Sequence, residues 1–466
     1  METESCFWEE RLNVTELKEF LKKHPSTSGI EVMMPDNNGI IRGKRVDIHE
    51  AESLFEKGLN FCAATPLLDS GGDVIDGLIL GSDDGDPDIF GHPVNGSLAP
   101  VPWLEKDMAQ VLITLVNKEG NPYPHEARNV LSRVVQKLAD DDLHATIAVE
   151  LEFYLYLDHD GLMVTPRHSP TPGTILHQAG PQVYSLEDLR ELDPFFNRLQ
   201  EICDQQNIPM GTAISEFSTG QFETNLHHIS DAILACDQSM LLRRAVKETA
   251  REFGMGATFM AKPFLESAGS GMHIHVSLKD GSGNPVFAHD ENDSTGFNKN
   301  LQNAVGGLAE TMKEGMAIFC PNANSYRRFA PGFFAPITPN WGPNHRNLSL
   351  RIPLSDDDNV RIEHRSAGAD ANPYLVVAAV LAGMHAGLKQ KISPPEMIQE
   401  SEVIDPDVTL PVKWQDALDE FNLATVLPQY FNEEFCRIFH HCRSCELDRF
   451  SSQISNKDFE WYLRSI

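Results

Sequence analysis

Two glutamates lie two residues apart in an otherwise largely apolar segment, residues 149–157. The odd-numbered residues of this segment are all apolar, whereas Glu150 and Glu152 occupy even positions. Successive side chains of a strand point to opposite faces, so the alternation predicts a strand with one buried face and two adjacent carboxylates on the other. A single pattern of this kind is typical of an ordinary half-exposed strand.

Three further segments repeat the alternation, with chemically related polar residues on one predicted face. The polar positions are Gln221, Glu223 and Asn225, then His273, His275 and Ser277, and then Arg361, Glu363 and Arg365. Carboxylate oxygens with an occasional imidazole are the ligands that Mg²⁺ or Mn²⁺ prefers. Crowded carboxylates repel one another unless cations neutralise them, so the four segments together predict a divalent-metal site.

Arginines accompany the acidic residues. Arg327 and Arg328 are adjacent, and Arg346 and Arg351 follow in one polar stretch. A guanidinium group matches the geometry of phosphate oxygens, so metal ligands and arginines together favour phosphoryl transfer on a small molecule. The sequence has neither a P-loop motif nor a strand-linked dinucleotide-binding glycine motif.

The charge balance limits the partners. The 466 residues include 38 Lys and Arg against 68 Asp and Glu, a formal net charge of −30. Nucleic acid and anionic membranes are bound by clustered basic residues, so neither is predicted to be a partner. A hydrophobic content of 41% is typical of a folded protein, and the length exceeds that of a single core.

The N-terminus and the cysteines predict a cytoplasmic protein. Residues 1–8 lack the basic and apolar regions of a signal peptide, and the longest apolar run, residues 375–384, falls short of the roughly 20 residues of a membrane helix. The eight cysteines do not suggest a disulfide framework. Cys442 and Cys445 form a CxxC motif without a second pair, so we expect a helix over residues 431–450 rather than a zinc site.

The elements that position these groups fall into two predicted domains, residues 1–121 and 122–466. The first is expected to be a small α+β domain with a helix over residues 14–23 and strands over residues 29–34 and 109–116. Residues 120–124, rich in Gly and Pro, interrupt the chain, and a helix over residues 127–140 opens the second domain.

The order of these motifs along nearly the whole chain resembles that of the glutamine synthetase superfamily. The motifs lie at residues 149–154, 216–223, 269–278, 324–332, 361–365 and 372–374. The resemblance implies an α+β glutamine synthetase fold, with a small N-terminal β-grasp domain and a large catalytic domain whose antiparallel sheet forms the active-site funnel. It also implies a homo-oligomer, usually a dodecamer of two stacked hexamers, with each site between neighbouring subunits.

Applied motif by motif, the resemblance assigns the acidic residues to two divalent metal ions. One ion would be held by Glu152, Glu216 and Glu223, and the other by Glu150, His273 and Glu363. Glu216 also belongs to the implied catalytic set, as a candidate base for the amine. The implied cofactors are ATP and two or three Mg²⁺ or Mn²⁺ ions.

The resemblance assigns the basic residues to the substrates. Glutamate would be bound by Arg328 and Arg365, with His273 and the Gly269 backbone beside them. The phosphoryl group would be stabilised by Arg346 and Arg351, and ATP would lie near Ser277, Arg351 and Arg361. In the family's reaction the γ-carboxylate of glutamate attacks the γ-phosphate of ATP, and an amine then displaces phosphate from γ-glutamyl phosphate.

Two positions depart from the ammonia-using members. Phe334 stands where those members have a glutamate that binds ammonium, and Cys62 aligns with an aspartate normally supplied by a neighbouring subunit. The loss of two carboxylates disfavours ammonium, whereas a phenylalanine can pack on methylenes or face an ammonium head group. An ordinary buried loop aromatic is the alternative interpretation of Phe334.

This pattern resembles the γ-glutamylpolyamine synthetase branch. The prediction is therefore an ATP-dependent ligase that joins glutamate to an organic amine, with putrescine or a longer polyamine favoured. The alternatives are a true glutamine synthetase, a ligase for another amine such as ethanolamine or an aromatic amine, and a non-catalytic sensor or structural relative. The implied small-molecule partners are glutamate, the amine and ATP.

Overall fold

The structure is a computed structural model that describes residues 14–78, 85–159, 162–164, 183–329, 335–402 and 409–466. Within these residues the chain forms two β-sheets, one of six strands near the N-terminus and one of nine strands in the remainder. The mixture of sheets and helices confirms the α+β prediction.

The N-terminal sheet is built from short elements. They are α1 (Val14–Lys23), β1 (Gly29–Pro35), β2 (Ile41–Asp47), α2 (Ala51–Lys57), β3 (Leu59–Cys62), β4 (Asp88–Pro93), β5 (Ala99–Pro100) and β6 (Met108–Val116). The strand order is β2-β1-β6-β4-β3, with β5 paired to β6. The predicted helix and both predicted strands are confirmed, each strand extending one residue beyond the predicted range.

A tight turn joins β1 to β2, as the Asn-Asn-Gly sequence predicts. The Asp36 carboxylate accepts hydrogen bonds of 2.9 Å from the backbone N–H groups of Asn38 and Ile40. Gly39 follows with a φ of 75°, a conformation that glycine adopts without steric cost. The turn packs on the second region of the chain, where the side-chain amide of Asn372 donates to the Asp36 carbonyl at 2.8 Å.

The second region contains the larger sheet and most of the helices. Its elements up to the middle of the sheet are α3 (Ala127–Asp140), β7 (Leu143–His159), β8 (Leu162–Val164), α4 (Leu186–Glu191), α5 (Asp193–Gln205), β9 (Met210–Ser215), β10 (Gln221–Leu226), α6 (Ala232–Glu252), β11 (Gly256–Thr258) and β12 (Met272–Asp280). The remainder are α7 (Lys299–Phe319), β13 (Trp341–Pro343), β14 (Leu350–Ile352), β15 (Ile362–His364), α8 (Pro373–Gln390), α9 (Trp414–Asn422), α10 (Leu427–Phe431), α11 (Glu433–Ser451) and α12 (Asn456–Tyr462).

The larger sheet has the order β13-β14-β15-β12-β7-β10-β9, with β8 and β11 also paired to β7. All these pairs are antiparallel except β13 with β14. The odd-numbered residues of β7 at its centre, Val149, Leu151, Phe153 and Leu155, have no exposed surface. Helices α3 and α6 contact β7, so the apolar face of the strand is buried and its even-numbered residues are left for the opposite face.

Helix α8 lies behind this layer and contacts α3, α6 and α7. It contains the apolar run 375–384, and its residues are buried up to Gly387. A Cβ atom on Gly307 of α7 would lie 2.1 Å from the Gly383 carbonyl oxygen, so glycine permits the close approach of α7 and α8. None of the helices in the described residues is long and apolar enough to cross a membrane.

The CxxC motif lies on α11, which begins at Glu433. The predicted helix over residues 431–450 is broken at Asn432, whose φ of 91° ends α10 at Phe431. Cys442 is buried, and Cys445 Sγ lies 3.5 Å from His441 Nε2. The two groups of described residues with metal-binding geometry lie elsewhere in the chain.

Two hydrophobic clusters correspond to the two sheets. Tyr123 is the last residue of the smaller cluster, and Ala127 is the first residue of α3 in the larger one. Met33 and Leu112 of the N-terminal sheet belong to the larger cluster, so the sheet packs against the second region. We propose on this basis that the two domains divide close to residue 121.

Glu126 is buried at this junction. Its carboxylate accepts hydrogen bonds from the Leu115 N–H at 2.9 Å, the Thr114 hydroxyl at 3.1 Å and the Asn129 amide at 2.5 Å. Burial raises its pKa from 4.5 to about 7. Between pH 4.5 and 7 the folded state therefore keeps a proton on Glu126 that the unfolded state releases. The contribution of Glu126 to the free energy of unfolding is largest below pH 4.5 and is lost as the pH rises through 7.

We expect Glu126→Gln to raise the unfolding free energy at pH 8 by about 1–3 kcal/mol, because the amide keeps the acceptor oxygen without a buried charge. At pH 5, where Glu126 is protonated in the folded wild type, the two proteins should have nearly equal stability. Urea denaturation at both pH values measures the difference. The exposed Glu119→Gln variant is the matched control, and an equal shift at both pH values for Glu126→Gln would contradict the prediction.

Candidate active site

The strand register brings the predicted polar faces together. Glu150 of β7 lies opposite His273 of β12, and Glu152 of β7 lies opposite Glu223 of β10. Directly opposite residues in an antiparallel pair project to the same face, so three of the four predicted strands contribute to one polar surface.

The fourth strand completes this surface. Glu363 of β15 lies opposite His275 of β12 on one side and opposite Arg351 of β14 on the other. The surface is consequently formed by neighbouring strands in the order β14-β15-β12-β7-β10. Its charged side chains cannot reach solvent freely, since Glu363, His273 and Glu223 are each less than one-tenth exposed.

Glu150 is at the centre of the contacts among these groups. One of its oxygens lies 3.1 Å from His273 Nδ1 and the other lies 2.9 Å from His275 Nε2. His273 also lies 3.7 Å from Glu152 through Nε2 and 3.8 Å from Glu363 through Nδ1. With Glu223, whose carboxylate lies close to Glu150 and His273, five of the six predicted metal ligands belong to one connected cluster of the described residues.

Two overlapping groups in this cluster have the geometry to hold a cation. Their members are Glu150, His275 and Glu363 in one group and Glu150, Glu223 and His273 in the other, and the ligand atoms of each group lie within 4.8 Å of one another. Glu150 is common to both. Carboxylate oxygens with one imidazole nitrogen are a donor set for Mg²⁺ or Mn²⁺.

These groups differ in part from the predicted ligand sets. His275 lies on the predicted polar face but was not among the predicted ligands, although its His-x-His spacing with His273 was the available signal. Glu152 approaches the cluster through His273, and Glu216 lies just beyond β9, where its carboxylate accepts a hydrogen bond of 3.2 Å from the Phe217 N–H. Glu152 and Glu216 remain predicted ligands on the basis of the family pattern.

The acidic residues of the cluster have strongly altered affinities for protons. Burial raises the pKa of Glu223 to about 10, and the negative charges of Glu150, Glu152 and Glu216 add to the effect. Burial, with the charge of Glu216, raises the pKa of Glu152 to about 8. Burial first, and the neighbouring negative charges second, therefore raise the pKa of both groups and favour their protonated forms when no cation is bound.

The opposite side of the cluster is electropositive. Arg351 Nη1 lies 2.6 Å from Glu363 Oε2, and Arg365 forms an ion pair with the other oxygen of Glu363. Burial is the largest single effect on Glu363 and would raise its pKa, but Arg365, His275 and His273 together outweigh it and lower the pKa to about 2. Glu363 is therefore ionised at all physiological pH values.

The two arginines predicted to bind glutamate are both buried, with Arg328 4% and Arg365 6% exposed. Arg328 donates to the Ser366 carbonyl at 3.2 Å, and its side chain passes over Gly269. A Cβ atom on Gly269 would lie 2.6 Å from Arg328 Cγ and 2.8 Å from the Ala261 carbonyl oxygen. The glycine is required here because any side chain would displace the arginine.

Two of the three predicted nucleotide ligands, Ser277 and Arg361, line an opening beside Glu150. Arg351 does not line it and pairs with Glu363. A cavity of about 330 Å³ is lined by Glu150, His275, Ser277 and Arg361, together with His227 and His228. Arg361 Nε lies 3.3 Å from His275 Nδ1, which joins this cavity to the acidic cluster. The sequence prediction did not include His227 or His228, which follow directly after β10.

The remaining predicted residues are more dispersed. Arg346 is exposed in the turn between β13 and β14. Burial raises the pKa of Glu216, and the positive charge of Arg346 partly opposes that increase. Cys62 is the exposed last residue of β3. Phe334, the predicted amine-binding residue, lies outside the described residues.

The raised pKa values predict that metal binding releases protons. At pH 7 and without cations, Glu152 and Glu223 carry protons, with pKa values of about 8 and 10. A divalent cation binds ionised carboxylates, so we expect about two protons to be released and the metal affinity to rise from pH 7 to pH 9.

Calorimetric titration with MnCl₂ in two buffers of different ionisation enthalpy measures this release. Glu223→Gln should release about one proton fewer, whereas Glu310→Gln, an exposed carboxylate on α7, should behave as wild type. An apparent binding enthalpy that is independent of the buffer would contradict the prediction.

The chain matches known proteins over nearly its whole length. The family model described as glutamine synthetase, catalytic domain, matches residues 124–462. The γ-glutamylputrescine synthetase PuuA of Escherichia coli is 39% identical over 453 residues, covering 97% of this chain and 94% of that protein. A glutamate–isopropylamine ligase of a Pseudomonas species is 30% identical over 467 residues, covering 98% of this chain and 99% of its own.

The fold has a solved counterpart. The structure described as apo GmaS without ligand superimposes with a TM-score of 0.81 and 24% identity, covering 95% of this chain and 98% of its own. The predicted fold class is thereby confirmed. The family model covers every strand of the nine-stranded sheet that carries the acidic cluster. From its cluster, its fold and its sequence, the chain belongs to the glutamine synthetase family.

Proposed function

We propose that this protein is an ATP-dependent ligase that joins the γ-carboxylate of L-glutamate to an organic amine. The reaction passes through γ-glutamyl phosphate and gives a γ-glutamylamine, ADP and phosphate. The observation that carries the proposal is the 39% identity, over 97% of this chain, to an enzyme named for the ligation of glutamate to putrescine.

The acidic cluster fits the divalent cations that this chemistry requires. The donor atoms are carboxylate oxygens and imidazole nitrogens. Glu152 and Glu223, whose pKa is raised chiefly by burial, would release their protons on binding a cation. We assign one ion to Glu152, Glu216 and Glu223 and the other to Glu150, His273 and Glu363, with His275 near the second. Bound Mg²⁺ or Mn²⁺ ions supply positive charge to the phosphoryl oxygens.

The arginines account for substrate binding and charge stabilisation. Arg328 and Arg365 are buried beside Gly269 and His273, where their fixed guanidinium groups suit the carboxylates of glutamate. Arg346 and Arg351 are assigned to the transferring phosphoryl group, whose developing negative charge they offset. Ser277 and Arg361 are assigned to ATP, since they line the cavity beside Glu150.

The amine is assigned to putrescine or a longer polyamine. Phe334 replaces a glutamate that would bind ammonium, and Cys62 replaces an aspartate, so the site favours an alkyl chain over a small cation. The relatives named for putrescine and isopropylamine are both consistent with an alkylamine. Ammonium, ethanolamine and aromatic amines are the alternatives.

Phosphate release with a panel of amines tests the proposal. We expect putrescine to give a kcat/KM at least about tenfold above that of ammonium, because one lost carboxylate contact is worth about 1.4 kcal/mol or more. Phe334→Glu should shift the preference toward ammonium, whereas Leu423→Glu, at an exposed apolar residue elsewhere, should not. Ammonium that outperforms every alkylamine would refute the amine assignment, and no metal-dependent hydrolysis of ATP with any amine would favour the non-catalytic alternative.

We also propose that the protein assembles as a homo-oligomer of the family type, a dodecamer of two hexamers, in the cytoplasm. Three large apolar side chains near the C-terminal helix α12 are exposed, namely Phe459, Trp461 and Leu463. Their exposure supports a contact with a neighbouring subunit. The described cysteines are free, as expected in a reducing compartment. Light scattering of the purified protein measures the assembly.

A further inference from the structure

A second cavity lies between the β1–β2 hairpin and α6. Its volume is about 940 Å³. Eight Lys or Arg side chains line it against four Asp or Glu side chains, which leaves a formal excess of four positive charges. This is the reverse of the chain as a whole, whose net charge is −30.

The acidic side chains that line the cavity are already engaged. Glu31 is paired with both Arg45 and Arg244, and Glu248 lies 2.6 Å from Arg251. Glu446 lies 2.9 Å from Arg443, and Asp370 accepts hydrogen bonds of 2.8 Å from Asn322 and Ser325. These carboxylates are therefore not free to neutralise the remaining cations.

Four cations that line the cavity form no salt bridge with any described residue, namely Lys44, Arg243, Lys247 and Arg327. Lys44 donates to the Asn60 carbonyl at 2.6 Å, which leaves the other three as candidate ligand-binding groups. Arg243 is 6% exposed, and its Nε has no hydrogen-bond partner within the described part of the chain. Lys247 lies one helical turn further along α6, and both cations face the ring of Phe259, at 5.7 Å and 5.9 Å from its centroid. Arg327 lies over the ring of Phe450, 5.9 Å from its centroid.

Like charges at positions i and i+4 of a helix destabilise it unless something lies between them. Burial lowers the pKa of Lys247, and the charges of Arg243 and Arg251 lower it further. A buried guanidinium with an unpartnered N–H carries a desolvation cost that a hydrogen-bond acceptor would remove. An anion between Arg243 and Lys247 would reduce the repulsion between their charges and would supply the acceptor that the Arg243 N–H lacks.

We propose that this cavity binds a small multivalent anion that carries phosphate or carboxylate groups, held by Arg243, Lys247 and Arg327. The volume admits a small organic molecule, and guanidinium groups bind phosphate and carboxylate oxygens in a bidentate geometry. The cavity wall continues directly into Arg328, since residues 325–328 form one short 3₁₀ helix. A bound anion would therefore lie close to Arg328, the arginine assigned to glutamate. The site itself does not depend on the proposed reaction.

Isothermal titration with citrate and with tripolyphosphate tests the proposal and distinguishes the two ligand chemistries. The full-length protein is first freed of metal ions on a chelating resin and is then titrated without a soluble chelator, at an ionic strength fixed with NaCl. We expect one site per chain for at least one probe. Lys247→Gln should weaken that binding about tenfold, and Arg243→Gln with Lys247→Gln should weaken it further.

Two controls locate the binding. Lys22→Gln, at an exposed lysine on α1 outside the cavity, and Arg346→Gln, at the candidate active site, should both bind the probe as wild type does. Lys247 is exposed to the cavity, so its single variant tests the site even if the double variant does not fold. The proposal is overturned if neither probe binds, if Lys247→Gln leaves the affinity unchanged, or if Arg346→Gln abolishes binding.

Discussion

Replacement of Glu150 by glutamine is expected to reduce kcat for the ligase reaction by at least about a thousandfold, because the cation assigned to Glu150, His273 and Glu363 loses a ligand and the overlapping group with Glu223 loses its shared carboxylate. Glu150 belongs to both groups of side chains with metal-binding geometry. Every other member of those groups belongs to one alone. The loss should therefore exceed that at Glu223, which serves only one group.

Glu150 also orients the two histidines of β12. Its separate oxygens lie 3.1 Å from His273 and 2.9 Å from His275. Glutamine has the same shape, but its amide nitrogen is a donor and cannot accept a proton or bind a cation at that position. The substitution thus removes one charge and reverses one hydrogen bond without leaving a cavity, and the fold should be retained.

Binding of Mn²⁺ measured by electron paramagnetic resonance, together with phosphate release, checks this expectation. Glu150→Gln should bind fewer ions per chain or bind them at least about tenfold more weakly, as loss of a ligand typically does. Glu310→Gln, an exposed carboxylate of the same type, is the matched control. A Glu150→Gln enzyme with unchanged ion stoichiometry and a kcat within tenfold of wild type would exclude Glu150 from the cation site assigned to it.

The face of each site strand could be predicted from the sequence, but the neighbours of each strand could not. The alternation in residues 149–157 separates Glu150 and Glu152 from Val149 and Leu151, and the structure buries the apolar residues completely. Alternation has a period of two and specifies a face, not a partner. The placement of Glu363 opposite His275 depends on the pairing of β15 with β12, strands separated by about 80 residues of chain.

Long-range contacts explain the other differences. His275 was assigned to the correct face but not to the ligand set, because its proximity to Glu363 arises only from that strand pairing. The cationic cavity combines the β1–β2 hairpin, α6 and residues 322–327, and no local spacing relates these segments. The break at Asn432 was missed because a helical pattern of apolar residues continues through it, whereas the left-handed backbone of one residue ends the helix.

Arg351→Gln is expected to lower kcat about 100-fold to 1,000-fold while leaving the affinity for metal ions unchanged or higher. Arg351 lies 2.6 Å from Glu363 and donates to the Asn344 side-chain oxygen at 2.9 Å, and its Nε has no partner among the described residues. The contacts with Glu363 and Asn344 fix the guanidinium group, and its buried Nε–H can donate a hydrogen bond to a phosphoryl oxygen.

The metal affinity separates two roles for Arg351. If the arginine served only to hold Glu363 for a cation, its removal would disturb that ligand and weaken metal binding. Arg365 pairs with the same carboxylate, however, so Glu363 stays ionised and oriented after the substitution. Removal of the positive charge of Arg351 reduces its repulsion of the metal ion, so the affinity for the ion should stay the same or increase.

Steady-state kinetics with Mn²⁺ titrations on Arg351→Gln and Arg351→Lys test this assignment. Lysine keeps the charge but not the planar fork, so it should recover part of kcat, while KM for glutamate should stay near the wild-type value in both variants. A loss of Mn²⁺ affinity equal to that of Glu150→Gln would make Arg351 a positioning residue for Glu363. A tenfold or greater rise in KM for glutamate with unchanged kcat would instead move Arg351 from the phosphoryl group to the glutamate site.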